Sequence, residues 1–250
     1  MINYLKSDLF RLSKKKSGYI LLLILTVSQI LLAISLEFFQ RTEPGFPYGT
    51  TKFFYSNIFG SASLLLILVC FLSNTLLGKD RKLIPTSIAL GITRKDIFIG
   101  KFILTLFYTI FVLFILGGIT YLIGETIISN TDSSVAVDYI ISLVNLAPIL
   151  LSSFVVAYSC TFIFDSEIAS IIVVLLCYRI LALIITGLAQ IFTSISVIET
   201  YFPANALNDI LTNFMSGNVH TSVINWLVNI FIAITFFFIG LRIVQKKEYP

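Results

Sequence analysis

The sequence has 250 residues, 57% of them hydrophobic and only 12% charged, where a soluble domain carries about a quarter charged residues. A mean hydropathy of +0.97 exceeds what a core of this size can bury, which excludes most soluble folds, intrinsic disorder and a nucleic-acid-binding domain. The three cysteines (Cys70, Cys160, Cys177) sit inside apolar runs and the one histidine is His220, which argues against a disulfide framework or a zinc site.

In chain order, Ile2, Leu5, Leu9 and Leu12 fall within one arc of a helical wheel, with Asp8, Arg11 and Lys14 mostly around it. The stretch reads as an amphipathic helix lying along a membrane surface, the alternative being a basic tail. Six apolar runs of about the roughly 20 residues that span a bilayer follow: 18–36, 53–77, 102–123, 139–164, 168–192 and 223–241. Lipid offers no partner to exposed backbone groups, so these runs are expected to be helices, within a single domain over 1–250. Lys14, Lys15 and Lys16 before the first run and Ala33-Ile34-Ser35 at its end resemble a cleavable signal. The run is longer than the ~7–15 residues of such a core, and five more follow it.

Basic residues close to the span ends set orientation. Five precede the first run (Lys6, Arg11, Lys14, Lys15, Lys16), six lie between the second and third (Lys79, Arg81, Lys82, Arg94, Lys95, Lys101), and three follow the sixth (Arg242, Lys246, Lys247). The other side holds only Arg41 and Lys52, with the acids Glu37, Glu43, Glu125, Asp132, Asp138, Glu199 and Asp209. Both termini and the 78–101 loop are therefore expected in the cytoplasm.

That loop carries the most information. Pro85 can open a short helix, and Gly91 can close it with a left-handed cap. Thr93 suits an N-cap, with Asp96 three residues on, for a second helix rising into the third run. Between the breaks Ile88, Ala89 and Leu90 form an apolar tip flanked by Arg81, Lys82, Arg94 and Lys95. Such a knob with a charged rim either docks into a partner's groove or packs against this chain's own helix ends.

Asp165 and Glu167 stand at the expected start of the fifth span, where carboxylates suit the helix dipole and could form a second partner contact. Arg179 lies about 18 Å into that span. A charge at such depth costs at least ~2.5–3.5 kcal/mol unless compensated. Asn74, Asn145, Tyr178, a lipid phosphate or a cargo carboxylate are its candidate neighbours, in a structural or a substrate-binding role. Between the fifth and sixth runs, Pro203 precedes Leu207, Ile210, Leu211 and Phe214, a spacing that predicts a helix half-buried at the outer interface.

The basic first helix and the run Ala-Leu-Gly-Ile-Thr-Arg-Lys-Asp-Ile-Phe-Ile-Gly-Lys over 89–101, with a span beginning at once, resemble the permease subunits of ABC-2-type (type V) exporters. In size and in Phe- and Ile-rich character the chain looks most like permeases of lantibiotic-immunity and amphipathic peptide-toxin exporters of Gram-positive bacteria. The resemblance implies an all-α integral membrane fold of six spans. It adds an N-terminal elbow helix, a coupling helix between spans two and three, and an outer re-entrant helix capping the exit. It further implies a bacterial cell-membrane location, a second permease copy or close relative, and two ATPase subunits that engage the coupling helix. ATP and Mg would be held by those subunits and no cofactor by this chain, and the cargo would be amphipathic peptide or, alternatively, lipid-like or drug molecules. The other reading of the same basic loop is a non-transporting membrane anchor or sensor that holds a cytoplasmic partner.

The residues agree that chemistry is not carried here. Gly100-Lys101 is followed by Phe102 and has Lys95 where a phosphate loop needs glycine. GxSxG and HExxH are both missing from the sequence.

Overall fold

The computed structural model describes residues 2–43, 45–77, 83–128, 133–192 and 202–247. Arg81 and Lys82 of the expected docking loop, and the acids Asp132 and Glu199, lie outside the described residues. Among those described there are helices and turns but no strand. The helices are α1 (Ile2–Lys14), α2 (Lys16–Thr42), α3 (Thr51–Gly60), α4 (Ala62–Ser73), α5 (Ile84–Ala89), α6 (Arg94–Ile127) and α7 (Ser133–Phe164). They continue with α8 (Glu167–Leu175), a π turn (Leu176–Ile180), α9 (Leu181–Ile191), α10 (Pro203–Ser216) and α11 (Val223–Lys246).

Among the described residues five helical units are long and apolar enough to cross a membrane: α2, α6, α7, the unit Glu167–Ile191, and α11. The chain thus has the architecture of a multi-pass α-helical membrane protein. The expected second span, 53–77, departs from a straight rod. It is the pair α3 and α4, bent by 57°. The break falls at Gly60-Ser61, and Gly/Ser pairs are a recurrent cause of sharp kinks. Ser61 leaves the helical region (φ −88°, ψ 23°), and its hydroxyl donates to the Ile58 carbonyl at 3.1 Å.

Other bounds shift outward. Helix α2 continues past Leu36 to Thr42, its last turns held by an Arg41–Glu37 ion pair at 2.7 Å. Helix α6 has 34 residues, about 51 Å at 1.5 Å per residue, so its first turns stand beyond a ~30 Å hydrocarbon core.

Helix α7 is the axis of the bundle. In its most apolar stretch 67% of residues are buried, against 11–22% in the other four units. Its small residues make this possible, and Gly240 of α11 completes the fit: a Cβ there would stand 2.7 Å from Ser159 Oγ and 3.2 Å from Phe98. Close approach through small residues is how helices associate where lipid removes the hydrophobic drive. Toward one end an aromatic cluster locks α6, α7 and α11 together. Phe98, Phe102, Tyr158 and Phe237 have ring centroids 4.8–5.5 Å apart across the three helices, and the Tyr158 hydroxyl donates to the Phe98 carbonyl at 2.7 Å.

Two amphipathic helices sit differently from their sequence reading. In α10, Leu207, Ile210 and Phe214 are buried and Leu211 is half-buried, but they pack on protein, with Phe214 5.1 Å from Phe59 of α3. The stripe expected to meet the outer interface covers the bent span instead. In α1 the inward arc is Tyr4, Leu5, Asp8, Arg11 and Leu12, and Leu9 points outward. A buried ion pair at Asp8 sets that face, described below.

Replacing Gly240 by leucine is expected to force α11 away from α7, an overpacking cost of about 1–3 kcal/mol. The check is the unfolding temperature of the detergent-solubilised protein, which should fall by about 5 °C; an unchanged temperature would mean the two helices do not meet as described.

Candidate functional site

The elbow between α4 and α6 is built by backbone chemistry legible in its residues. Pro85 occupies the first turn of α5. The helix ends in a Schellman motif: Ile92 N–H donates to the Ser87 carbonyl at 3.1 Å and Gly91 N–H to the Ile88 carbonyl at 2.9 Å. Gly91 takes φ +85°, where a side chain is disfavoured by about 1–2 kcal/mol. A Cβ there would touch nothing, so conformation alone demands the glycine. Two residues on, Thr93 Oγ1 accepts from Asp96 N–H at 3.1 Å and caps α6. The elbow therefore turns directly into a 34-residue rod.

The apolar tip divides. Ile88 packs inward against the core, whereas Ala89 is exposed and Leu90 is 78% exposed at the end of the bundle richest in basic residues. Of the rim, Lys95 is exposed and Asp96 half-buried. Arg94 leaves the rim: its guanidinium donates to the Gln245 carbonyl at 3.2 Å and ties the elbow to the end of α11.

Arg94 is one of several cations at this end that serve helix termini. The Lys15 ammonium donates to the Thr75 carbonyl just past α4. Lys247 donates to the Phe162 and Ile163 carbonyls at 2.8 and 3.2 Å at the end of α7, and pairs with Asp165. Each cation meets the negative end of a helix dipole and a carbonyl that has no partner within its helix. Asp165 is thus not in the first turn of a helix. It forms the turn between α7 and α8 at φ +54°, Ser166 caps α8 by accepting from Ala169 N–H at 3.2 Å, and Glu167 is the exposed acid of the first turn.

Sequence reasoning missed the strongest contact of the region. Lys101 Nζ lies 3.0 Å from Asp8 Oδ2, with side chains only 3% and 1% exposed, and also donates to the Leu76 carbonyl at 3.3 Å. Arg11 adds a second partner for Asp8 at 3.6 Å. Leu5 seats α1 beside this pair, 3.0 Å from where a Gly100 Cβ would stand. Read alone, Asp8 belongs to a polar face and Lys101 to a basic loop. The only local hint was a lysine abutting the apolar run at Phe102.

Inside the bundle one run of polar groups is joined by hydrogen bonds. The Tyr178 hydroxyl donates to Ser152 Oγ at 2.6 Å, and Ser152 donates to Asn229 Oδ1 at 2.7 Å. Asn229 donates to Asn225 Oδ1 at 2.7 Å, Asn225 to the Asn145 carbonyl at 2.8 Å, and Asn145 to the His220 carbonyl at 2.7 Å. Asn74 likewise donates to Ser170 Oγ at 3.1 Å and accepts from Thr161. The three protein groups named from sequence as neighbours for Arg179 are thus committed elsewhere. Its Nε donates instead to Ser63 Oγ of α4 at 2.7 Å. Both side chains leave the π turn Leu176–Ile180, Tyr178 toward α7 and Arg179 toward α4. Such turns concentrate at functional sites.

Two cavities complete the picture. An apolar groove of about 930 Å³ runs between α2, α4, α6 and α7, walled by residues such as Leu25, Leu65, Leu113, Phe114, Leu143 and Phe154. Its size falls within the ~300–1,000 Å³ of small-molecule sites. A second, of about 220 Å³, lies under α10 and is lined by Asn145, Asp209, Asn213, His220 and Asn225 among others. Partial desolvation there raises the Asp209 carboxyl above its ordinary range. Among the described residues no group of three His, Cys, Asp or Glu side chains could hold a metal ion.

Asp8→Asn should leave Lys101 buried without its counter-charge and destabilise the protein by about 3–5 kcal/mol, whereas Asp8→Leu with Lys101→Met should recover most of the loss. Thermal unfolding of the two variants beside the parent checks the pair; equal losses would mean that the ion pair is not what holds α1 to α6.

No protein-family model matches this chain, and no curated protein matches it.

Proposed function

We propose that this chain is the membrane-spanning permease subunit of an ATP-driven exporter of ABC-2 type, crossing the bacterial cell membrane six times with both termini in the cytoplasm. In this reading α3 and α4 together make the second crossing. The carrying observation is the elbow: a rigidly capped turn whose Leu90 side chain stands 78% exposed at the end of a rod that runs into the bundle. An exposed apolar residue at a charged surface is what a partner's groove can desolvate. The partner would be a separate ATPase subunit, holding ATP and Mg, with Ala89 and Leu90 as the inserted tip and Lys95 and Asp96 on its rim. Pro85, Gly91 and Thr93 keep the tip stiff, and Ile88 anchors it to the core. Asp165 and Glu167, at the adjoining turn, would form a second contact. Two ATPase subunits and two permease copies, identical or closely related, complete the assembly.

Movement would spread from the tip along α6, to α11 through Arg94 and to α1 through Lys101 and Asp8. The cargo reading rests on the groove, which is apolar along its walls and bordered by side chains such as Phe114, 80% exposed on a face that lipid would cover. It suits amphipathic peptide entering from the membrane, and its lateral opening favours lipid-like molecules as the second cargo class. Helix α10, with Leu207, Ile210, Leu211 and Phe214 laid over α3, would act at the outer gate. Arg179, bound to a neutral hydroxyl in the middle of its span, serves the moving bundle or an anionic cargo group.

Co-purification tests the assembly: an ATPase subunit should accompany the chain stoichiometrically and in a nucleotide-dependent way. Ala89→Asp with Leu90→Asp should uncouple hydrolysis from transport, and normal export by that variant would remove the docking assignment. Arg179→Leu should abolish transport while the ATPase subunit still binds; undiminished transport would exclude Arg179 from the mechanism.

A further inference from the structure

We infer that the outward face of α1 is a binding surface for anionic phospholipid headgroups. The argument begins with what the inward face leaves over. Asp8, Leu12 and Lys15 are engaged with the bundle, and Arg11 pairs with Asp8 within α1. The opposite arc carries Lys6, Leu9, Phe10 and Lys14, all exposed, with Leu9 at 53% and Phe10 at 64%. Lys14 Nζ lies 5.6 Å from the centroid of the Phe10 ring, and Lys16, exposed, follows at the start of α2. Two large apolar side chains between lysines make a surface that water and the bilayer interior each satisfy only in part. The headgroup layer satisfies both, since the apolar pair enters the acyl boundary while the ammonium groups stay among phosphates.

Position supports this occupant. Helix α1 leads into α2, packs beside Gly100 and Lys101 of α6, and reaches the carbonyls past the end of α4. That is the level at which apolar spans end. Tyr19, 61% exposed, donates to the Ser13 carbonyl at 3.0 Å at the same junction, and tyrosine at a span end marks the interface. The charge on the arc selects among lipids. Lys6, Lys14 and Lys16 have no acidic neighbour among the described residues that would neutralise them, so an anionic leaflet is complementary and a zwitterionic one is not.

This inference does not depend on export, because no ATPase subunit enters it. The full chain carrying Phe10→Trp and Trp226→Phe, reconstituted in phosphatidylcholine vesicles with a minority of phosphatidylglycerol, reports lipid contact at α1 through quenching by brominated lipid. Bromine on phosphatidylglycerol should quench as though that lipid were enriched about three-fold or more over its bulk share. High salt should shrink the preference, Lys6→Gln, Lys14→Gln and Lys16→Gln together should abolish it, and the matching arginine triple should keep it. Equal quenching by the two brominated lipids, a preference that survives loss of the three charges, or no quenching by either would each overturn the assignment.

Discussion

A helix that ends beside lipid leaves carbonyls that neither its own backbone nor the solvent can satisfy, and at the basic end of this bundle cations meet that need. Lys15 serves the end of α4, Lys247 the end of α7 and Arg94 the end of α11. Helices that begin at the same end carry the reverse provision, with Thr93 and Asp96 on α6 and Ser166 and Glu167 on α8. The excess of positive charge that orients a membrane protein is therefore spent, in part, on closing helix ends. Lys101 extends the pattern inward: it reaches a carbonyl past α4 and the Asp8 carboxylate together, and so fixes a surface helix to the foot of a spanning one.

The interior obeys a related constraint by other means. Polar groups in α7 are numerous for a helix so deeply enclosed, yet Ser152, Asn145 and Thr161 are each hydrogen-bonded to a neighbouring element. These bonds, together with the small residues that let α11 approach, hold the bundle where burial of apolar surface gives no net drive. The groove lies where this network is absent, between α2 and the α4–α6–α7 side of the bundle. Its walls are mostly alkyl and aromatic, with Ser28, Gln29, Asn57 and Thr109 among the few polar side chains.

What could be read in advance follows the range of the interaction. Helices follow from apolar runs because lipid permits little else, and the elbow follows from Pro85, Gly91 and Thr93 because caps and turns are decided within a few residues. Asp8 and Lys101, 93 residues apart, could be joined only by knowing that α1 folds back on α6. With that pair hidden, nothing local separates Leu9, which points outward, from Leu5 and Leu12, which face the bundle. The Gly60-Ser61 break was visible as a dipeptide, but an unbroken apolar run outweighs it until packing against α10 is known. The π turn has no residue signature at all, and so the partner of Arg179 could not be chosen from sequence.

The break at Gly60-Ser61 divides what would have been one stiff post into two short struts. One strut, α4, leans on α7 and α8, while the other, α3, is clasped by α10 through Phe59 and Phe214. The two struts meet at a 57° corner, so neither lies along the axis of the other. In the transporter proposed above, that corner would let the two faces open or shut on separate terms, with a glycine and a serine as the clutch between them.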